Sequence, residues 1–366
     1  MKFNNLKSTG FLPFIITLIA SFPYILYLYR DKVIDLLINQ EYVYSGVVKY
    51  LLTNDNMIFR FFLMPITAFI IFIIPYICAT FYEIYQLKGS IKKRLLLTSI
   101  YQIFNSSNDY KFADIIYTFI KFFIQQFPIL IVLSTIGISN FNAFVSSNAA
   151  ELLTSSVGSI INNINTSFLI VFLLLILDLV DFLKHWLQHN VPFLWDFHEF
   201  HHSATQMNML SENRVNLFEG VFIETLFLPA NIFVGLVLAN YYQRGDIVPI
   251  IVYLFYIISV KLVGIFGHSK TMVIYPKYVS LIFMSPSLHF IHHSSNPEHY
   301  NKNLGLMFTF WDRLAGTYLP EKEIANVTSF GVNKSLYNDI NPLKSYFLIP
   351  LIKISKRLNR LFLIHT

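Results

Sequence analysis

Apolar residues in this chain come in long, nearly unbroken runs rather than in alternation or in a narrow stripe. Such runs fill residues 11–29, 57–81, 112–138, 165–182, 217–239 and 247–266. A helix climbs about 1.5 Å per residue, so roughly 20 such residues cross the hydrocarbon core of a bilayer. The pattern predicts about six transmembrane helices. The run at 11–29 follows Lys2 and Lys7 as a signal peptide would, but it is long and no small-residue cleavage site follows, so it reads as an anchor. Residues 273–284 and 346–364 are too short or too charged to span. The second of these sets Lys353, Lys356, Arg357 and Arg360 among apolar residues, which predicts an amphipathic helix lying in the interface.

Basic residues set the sidedness. Lys88, Lys92, Lys93 and Arg94 follow the second run, whereas residues 139–164 contain no Lys or Arg. With the first segment inside, both termini, residues 183–216 and the region beyond Gly267 are cytosolic. Arg30, Lys32 and Arg244 then fall outside, a mild cost. Two charges lie within the runs, Glu224 in the fifth and Lys261 in the sixth, at similar depth in an antiparallel hairpin. They are expected to pair. Lys121 is expected to snorkel toward the interface. The predicted fold class is all-α, an integral membrane helical bundle with a cytosolic histidine-rich helical cap. Its parts are residues 1–164 with three spans, 165–320, and a cytosolic tail at 321–366.

Composition agrees with lipid as the solvent. Hydrophobic residues make up 55% of the chain and charged residues 13%, against about 25% charged in soluble domains. Cys78 is the single cysteine. This excludes intramolecular disulfides, thiolate zinc ribbons and cysteine-ligated iron–sulfur clusters. The net charge of +6 suits basic loops against anionic headgroups. No basic stretch interleaved with aromatics points to nucleic acid.

Of eleven histidines, ten lie between His185 and His299. His185 and His189 are four apart. His198, His201 and His202 form HxxHH, and His289, His292 and His293 repeat it. His268 and His299 stand alone. Positions i, i+3 and i+4 share a helix face, so each cluster is expected to aim its imidazoles in one direction. Imidazole suits iron, zinc, copper and nickel. Eight or more exceed the roughly four ligands of one structural zinc, so two metal ions are the natural reading. All the clusters fall on the predicted cytosolic side, at or beyond the ends of the fourth and sixth runs.

These boxes resemble those of the fatty acid hydroxylase / sterol desaturase superfamily. The carriers are Asp181-Phe-Leu-Lys-His185-Trp-Leu-Gln-His189, Leu194-Trp-Asp-Phe-His198-Glu-Phe-His201-His202-Ser203, Gly267-His268-Ser269 and Ser285-Pro-Ser-Leu-His289-Phe-Ile-His292-His293-Ser294. Asn303-Leu-Gly305 and Trp311-Asp-Arg-Leu-Ala-Gly-Thr-Tyr318 are similar to the closing signature. The resemblance covers about residues 165–320, and the first 160 residues carry none of it. Three positions depart from the pattern: Asn216 where many members have histidine, Leu304 where tyrosine is frequent, and Ala315 in place of phenylalanine. The Met207-Asn208 neighbourhood and the Asn303 signature look most like an alkylglycerol monooxygenase-like branch.

The resemblance implies a non-haem di-iron oxygenase with His185, His189, His198, His201, His202, His268, His289, His292 and His293 as ligands and His299 as a tenth candidate. Zinc is the alternative ion. Asp181, four residues before His185, is expected to accept a ligand N–H, as carboxylates do for metal-bound imidazoles. Arg214 and Glu219 are expected to orient the second box or meet a lipid headgroup, and Asn303 belongs to the closing signature. The expected chemistry is hydroxylation, desaturation or ether cleavage of a lipid with O2, because an alkyl C–H bond resists acid, base and nucleophile. No glycine-rich dinucleotide fingerprint occurs, so electrons are expected from a separate donor protein or a reduced pterin. The expected home is the endoplasmic reticulum or a bacterial inner membrane. Two other classes compete: a zinc-dependent membrane hydrolase, on His198-Glu199-x-x-His202, and a metal-ion transporter, which would put its ligands near the bilayer midplane.

Overall fold

Proline and asparagine punctuate the chain where the histidine boxes begin and end. The computed structural model describes residues 75–99, 112–121, 164–227, 248–269, 271–332 and 341–364, with a few isolated positions besides. The described residues are helical, with two isolated β-bridges (Phe283 with Phe308, Ser294 with Phe330) and no strand among them. Helix α1 covers 75–86 and α2 is Ala113–Ile120. Helix α3, Thr166–Asn190, starts at Asn165, whose side chain accepts from the Ser167 N–H. It ends where Pro192 cannot continue it. That same proline opens α4, Pro192–His202, at a position where its missing N–H costs nothing. Asn216 caps α5, Leu217–Leu226, by accepting the Glu219 N–H at 2.8 Å. Helix α6 is Val248–Gly267. Helix α7, Pro286–His292, is capped by Ser285, and α8 is Phe310–Ala315. Helix α9, Ile349–Ile364, comes last.

The main core packs α1 (Tyr76, Ala79, Tyr82) against α6 (Leu262, Ile265, Phe266) and α7 (Leu288, Ile291). A second cluster joins α2 (Ala113, Tyr117, Ile120), Phe200 of α4, and Tyr337, Tyr346 and Ile349. Each such side chain, fully buried, contributes about 1.5–3 kcal/mol by leaving water. Buried acids tie these elements together. Glu83 accepts from the Ser99 N–H at 2.7 Å and from the hydroxyls of Ser99 and Ser269 at 2.5 Å. Asp114 accepts from Arg214 Nε at 2.5 Å and Asn208 Nδ2 at 2.7 Å.

The apolar runs fare unequally. The run at 165–182 forms the first part of α3, which continues to Asn190 and carries the first histidine pair. The run at 247–266 is α6. The run at 11–29 lies outside the described residues, as do most of 57–81, 122–138 and the far end of 217–239. Among the described residues, no helix is long and apolar enough to cross a membrane. The side chain of Glu224, expected to pair with Lys261, lies outside the described residues, and Lys261 is seen to pair with Glu212. Its Nζ lies 2.9 Å from both carboxylate oxygens of Glu212, which also accepts from the Tyr76 hydroxyl at 2.9 Å. The 3-10 turn Met209–Asn213 brings Glu212 back over α6, a return that hydropathy along the chain does not encode.

Candidate metal centre

Nine imidazoles from four segments meet in two adjoining groups. His185, His189, His198, His202 and His292 form one, and His201, His268, His289 and His293 form the other. Within each group the candidate ligand nitrogens lie within 4.8 Å of one another. The groups touch: the rings of His202 and His293 stack with centroids 4.4 Å apart.

The two HxxHH boxes do not each point one way, as equal spacing suggested. A helix turns about 100° per residue, so neighbouring histidines diverge by that angle. From α4, His198 and His202 enter the group of five while His201 enters the group of four. From α7, His289 and His293 enter the group of four while His292 crosses to the other. Each box splits its i, i+4 pair from its i+3 member.

The ring nitrogens are partnered on one side and free on the other. His185 Nδ1 lies 2.8 Å from the Leu304 carbonyl and His292 Nδ1 2.8 Å from the Lys302 carbonyl. His189 Nδ1 lies 3.2 Å from Asn301 Oδ1, and His198 Nδ1 2.7 Å from Glu219 Oε1. His268 Nδ1 faces the Gly264 carbonyl at 2.7 Å. Meanwhile Nε2 of His189, His198, His202, His268 and His292 is buried without a hydrogen-bond partner. An unsatisfied buried nitrogen costs about 1–3 kcal/mol, and here the cost recurs side by side within two clusters. Nitrogens anchored at the back and bare toward a shared centre are the arrangement that metal-binding imidazoles require. The donor set fits one metal ion in each group.

Protonation agrees with this. Burial lowers the pKa of His185 to about 3 and that of His268 to about 4. Burial, with neighbouring imidazoles adding to it, also pushes His189, His201, His202, His289, His292 and His293 below the ordinary histidine range. Neutral imidazole is the form that binds metal.

One loop supplies three of the back-side acceptors. Asn301 and Asn303 both take left-handed backbone, φ 56° and 55°, which asparagine tolerates better than other side-chain-bearing residues. Asp312 holds the loop by accepting the Leu304 N–H at 2.7 Å and the Gly305 N–H at 2.8 Å. Asn303 itself touches no imidazole. Its Nδ2 donates to the Leu288 carbonyl and its Oδ1 accepts from the Leu319 N–H, joining the loop to α7. The closing signature is thus a bracket for the first and last boxes. Its substitution at Leu304 is harmless to that task, since the backbone carbonyl is what reaches His185.

The carboxylate expected at Asp181 is found at Glu219. Asp181 lies 2.8 Å from the Tyr256 hydroxyl and 3.6 Å from Lys184 Nζ, and Leu304 takes its place at His185. Glu219 accepts from His198 and from Gln188 Nε2, the latter at 2.7 Å. Arg214 braces the second box by donating to the hydroxyl of Ser203, which closes α4, at 3.1 Å. His299 is fully buried and belongs to neither group. Sequence reasoning missed Gln188, Asn301, the Lys302 and Leu304 carbonyls, and Asp312. Gln188, Leu304 and Asp312 stand within the quoted boxes and closing signature, but nothing there marked their roles. At Gly267, beside His268, an added Cβ would sit 2.6 Å from the His289 ring, so glycine is required for the close approach.

Helices pool nine imidazoles into two adjoining groups that could each hold a metal ion. Residues 170–317 match the fatty acid hydroxylase family. Over this stretch the chain is similar to the fatty acid hydroxylase / sterol desaturase superfamily, and the relatives it matches include alkylglycerol monooxygenases and an ornithine lipid hydroxylase. An alkylglycerol monooxygenase of Caenorhabditis elegans is 25% identical, over 46% of this chain and 31% of that protein. The ornithine lipid hydroxylase OlsE of Rhizobium tropici is 31% identical, over 42% of each. An alkylglycerol monooxygenase of Xenopus tropicalis is 26% identical, over 46% and 32%. The matches thus span between a third and two fifths, roughly, of these relatives' length. No solved structure matches the chain.

Proposed function

We propose that the chain is a membrane-embedded lipid oxygenase that holds two iron ions, one in each histidine group, and uses O2 to hydroxylate a lipid chain or cleave an ether bond by hydroxylating the carbon beside it. The carrying observation is the two sets of buried imidazoles whose unpartnered nitrogens converge. Iron would supply the redox power that an alkyl C–H bond demands. The protein's own part is to fix the tautomers of His185, His189, His198, His268 and His292 through carbonyls, Asn301 and Glu219, and to bury the centre from water. The substrate would be a lipid with a polar head and an alkyl or acyl chain, as the names of the relatives suggest. It would enter from the bilayer to a centre on the cytosolic side. Exposed apolar side chains along the first turns of α3 (Phe168, Val171, Phe172) and on α6 (Phe255, Ile257) support lipid contact. Electrons would come from a separate donor protein or a reduced pterin.

The hydrolase reading is weaker. Glu199, its required general base, is ion-paired with Lys353 of α9. Metal analysis and O2 uptake on purified protein test the proposal together. Two irons per chain with lipid-dependent O2 consumption are expected. One zinc with turnover in the absence of O2 would replace this reading with hydrolysis.

A further inference from the structure

Helix α9 has two unlike faces. One is packed. Ile349, with Tyr346 just ahead of the helix, shares a core with Phe200 of α4 and with Ala113, Tyr117 and Ile120 of α2. On the same face Lys353 pairs with Glu199, and Arg357 Nε lies 2.6 Å from Asp196 Oδ2, both acids belonging to α4. The opposite face presents Leu351 (48% exposed) and Leu358 (45%), with exposed Ser355 between them and Leu348 (46%) one turn earlier. Spacings of three and four residues align these into one stripe.

Two observations say what covers that stripe. The first is charge. Lys356 and Arg360 follow Ile349 and Lys353 by seven residues, so they continue the polar side of the helix, where both are exposed, as is Lys344 just ahead of it. None has an ion-pair partner among the described residues, in contrast to Lys353 and Arg357. Exposed cations on one side of a helix and an apolar stripe on the other fit anionic headgroups above acyl chains. The second is level. Helix α9 packs on α2, the opening turns of the apolar run at 112–138, and Phe119 on α2 is itself 56% exposed. Helix α9 therefore lies beside the place where that run would enter the bilayer from the cytosolic side.

We propose that α9 is a membrane-seated strut. Its leucine face beds in the cytosolic leaflet of an anionic bilayer, and its other face holds the second histidine box through Glu199 and Asp196. The proposal rests on reading the chain as a membrane enzyme and is independent of which metal it binds. Seating would fix α4, and with it His198, His201 and His202, relative to the lipid from which substrate comes.

The test places spin labels at Leu351→Cys, Ser355→Cys and Leu358→Cys, each in the full chain with Cys78→Ser, reconstituted in vesicles containing phosphatidylglycerol. Collision rates with O2 and with a water-soluble nickel chelate are compared with those of a label at exposed Lys322→Cys. At all three α9 positions O2 is expected to win several-fold, and at the reference position nickel. Adding Lys356→Glu and Arg360→Glu should narrow the α9 ratio in these vesicles but not in neutral ones. Nickel access on α9 equal to the reference would overturn the proposal. So would spin–spin broadening between neighbouring chains, which would make the stripe a contact between copies. Metal content of the same samples separates the readings: two irons with water-facing labels reject only the strut, and lipid-facing labels without metal reject only the metal centre.

Discussion

The two histidine groups are built to different tolerances. In the group of five, four imidazoles are anchored from behind by protein acceptors: His185 and His292 by carbonyls, His189 by Asn301 and His198 by Glu219. In the group of four only His268 has such an anchor. There His289 and His293 instead lie with their Nε2 atoms 3.2 Å apart, and the Nδ1 atoms of His201 and His289 are buried without partners. One group is pre-set, and the other settles its ring positions among its own members. Preorganisation lowers what binding must spend on ordering, so the group of five should hold its ion more firmly.

The largest test of that contrast removes a ligand from each group. His202→Ala and His293→Ala should each lower metal content from about two ions per chain to about one, with lipid-dependent O2 uptake falling to background. Retention of both ions in either variant would break the assignment. Next comes the anchor. Glu219→Gln should weaken metal binding by about 10–100-fold in the group of five alone, read by metal titration, while the matched Asp181→Asn leaves both groups unchanged. A smaller effect is expected at Gly267→Ala. The added methyl meets His289 at 2.6 Å, and such overpacking costs about 1–3 kcal/mol. It should loosen the group of four and spare the other. The mildest test is timing: with a chelator present, the group of four should empty first by a few-fold in rate. Equal rates would mean that the back-side hydrogen bonds do not set metal retention.

Much of this centre could be read in the chain. Imidazoles grouped as HxxxH and HxxHH pointed to a two-metal site, and the runs at 165–182 and 247–266 marked α3 and α6. Three features were hidden. The split of each HxxHH box depends on where a second helix stands, which spacing alone does not say. The acceptors for His185 and His292 are backbone carbonyls, which any residue provides, so Leu304 and Lys302 gave no sign of the role. The carboxylate for His185 was expected at Asp181, one turn before it, but a backbone carbonyl serves there, while Glu219, expected to orient the second box, reaches His198 from a different helix. Lys261 and Glu212 teach the same lesson, since their pairing comes from a turn returning from elsewhere in the chain.

The crossed sharing of α4 and α7 has a mechanical outcome. Because each helix feeds both groups, any rigid slide of one past the other must stretch both sets of ligands at once. Single side chains can be deleted from one set, but a helix cannot drift without disturbing the pair. The protein has in this way geared its two halves of the cage together, so that motion reaching α4 or α7 from outside arrives at both histidine groups simultaneously.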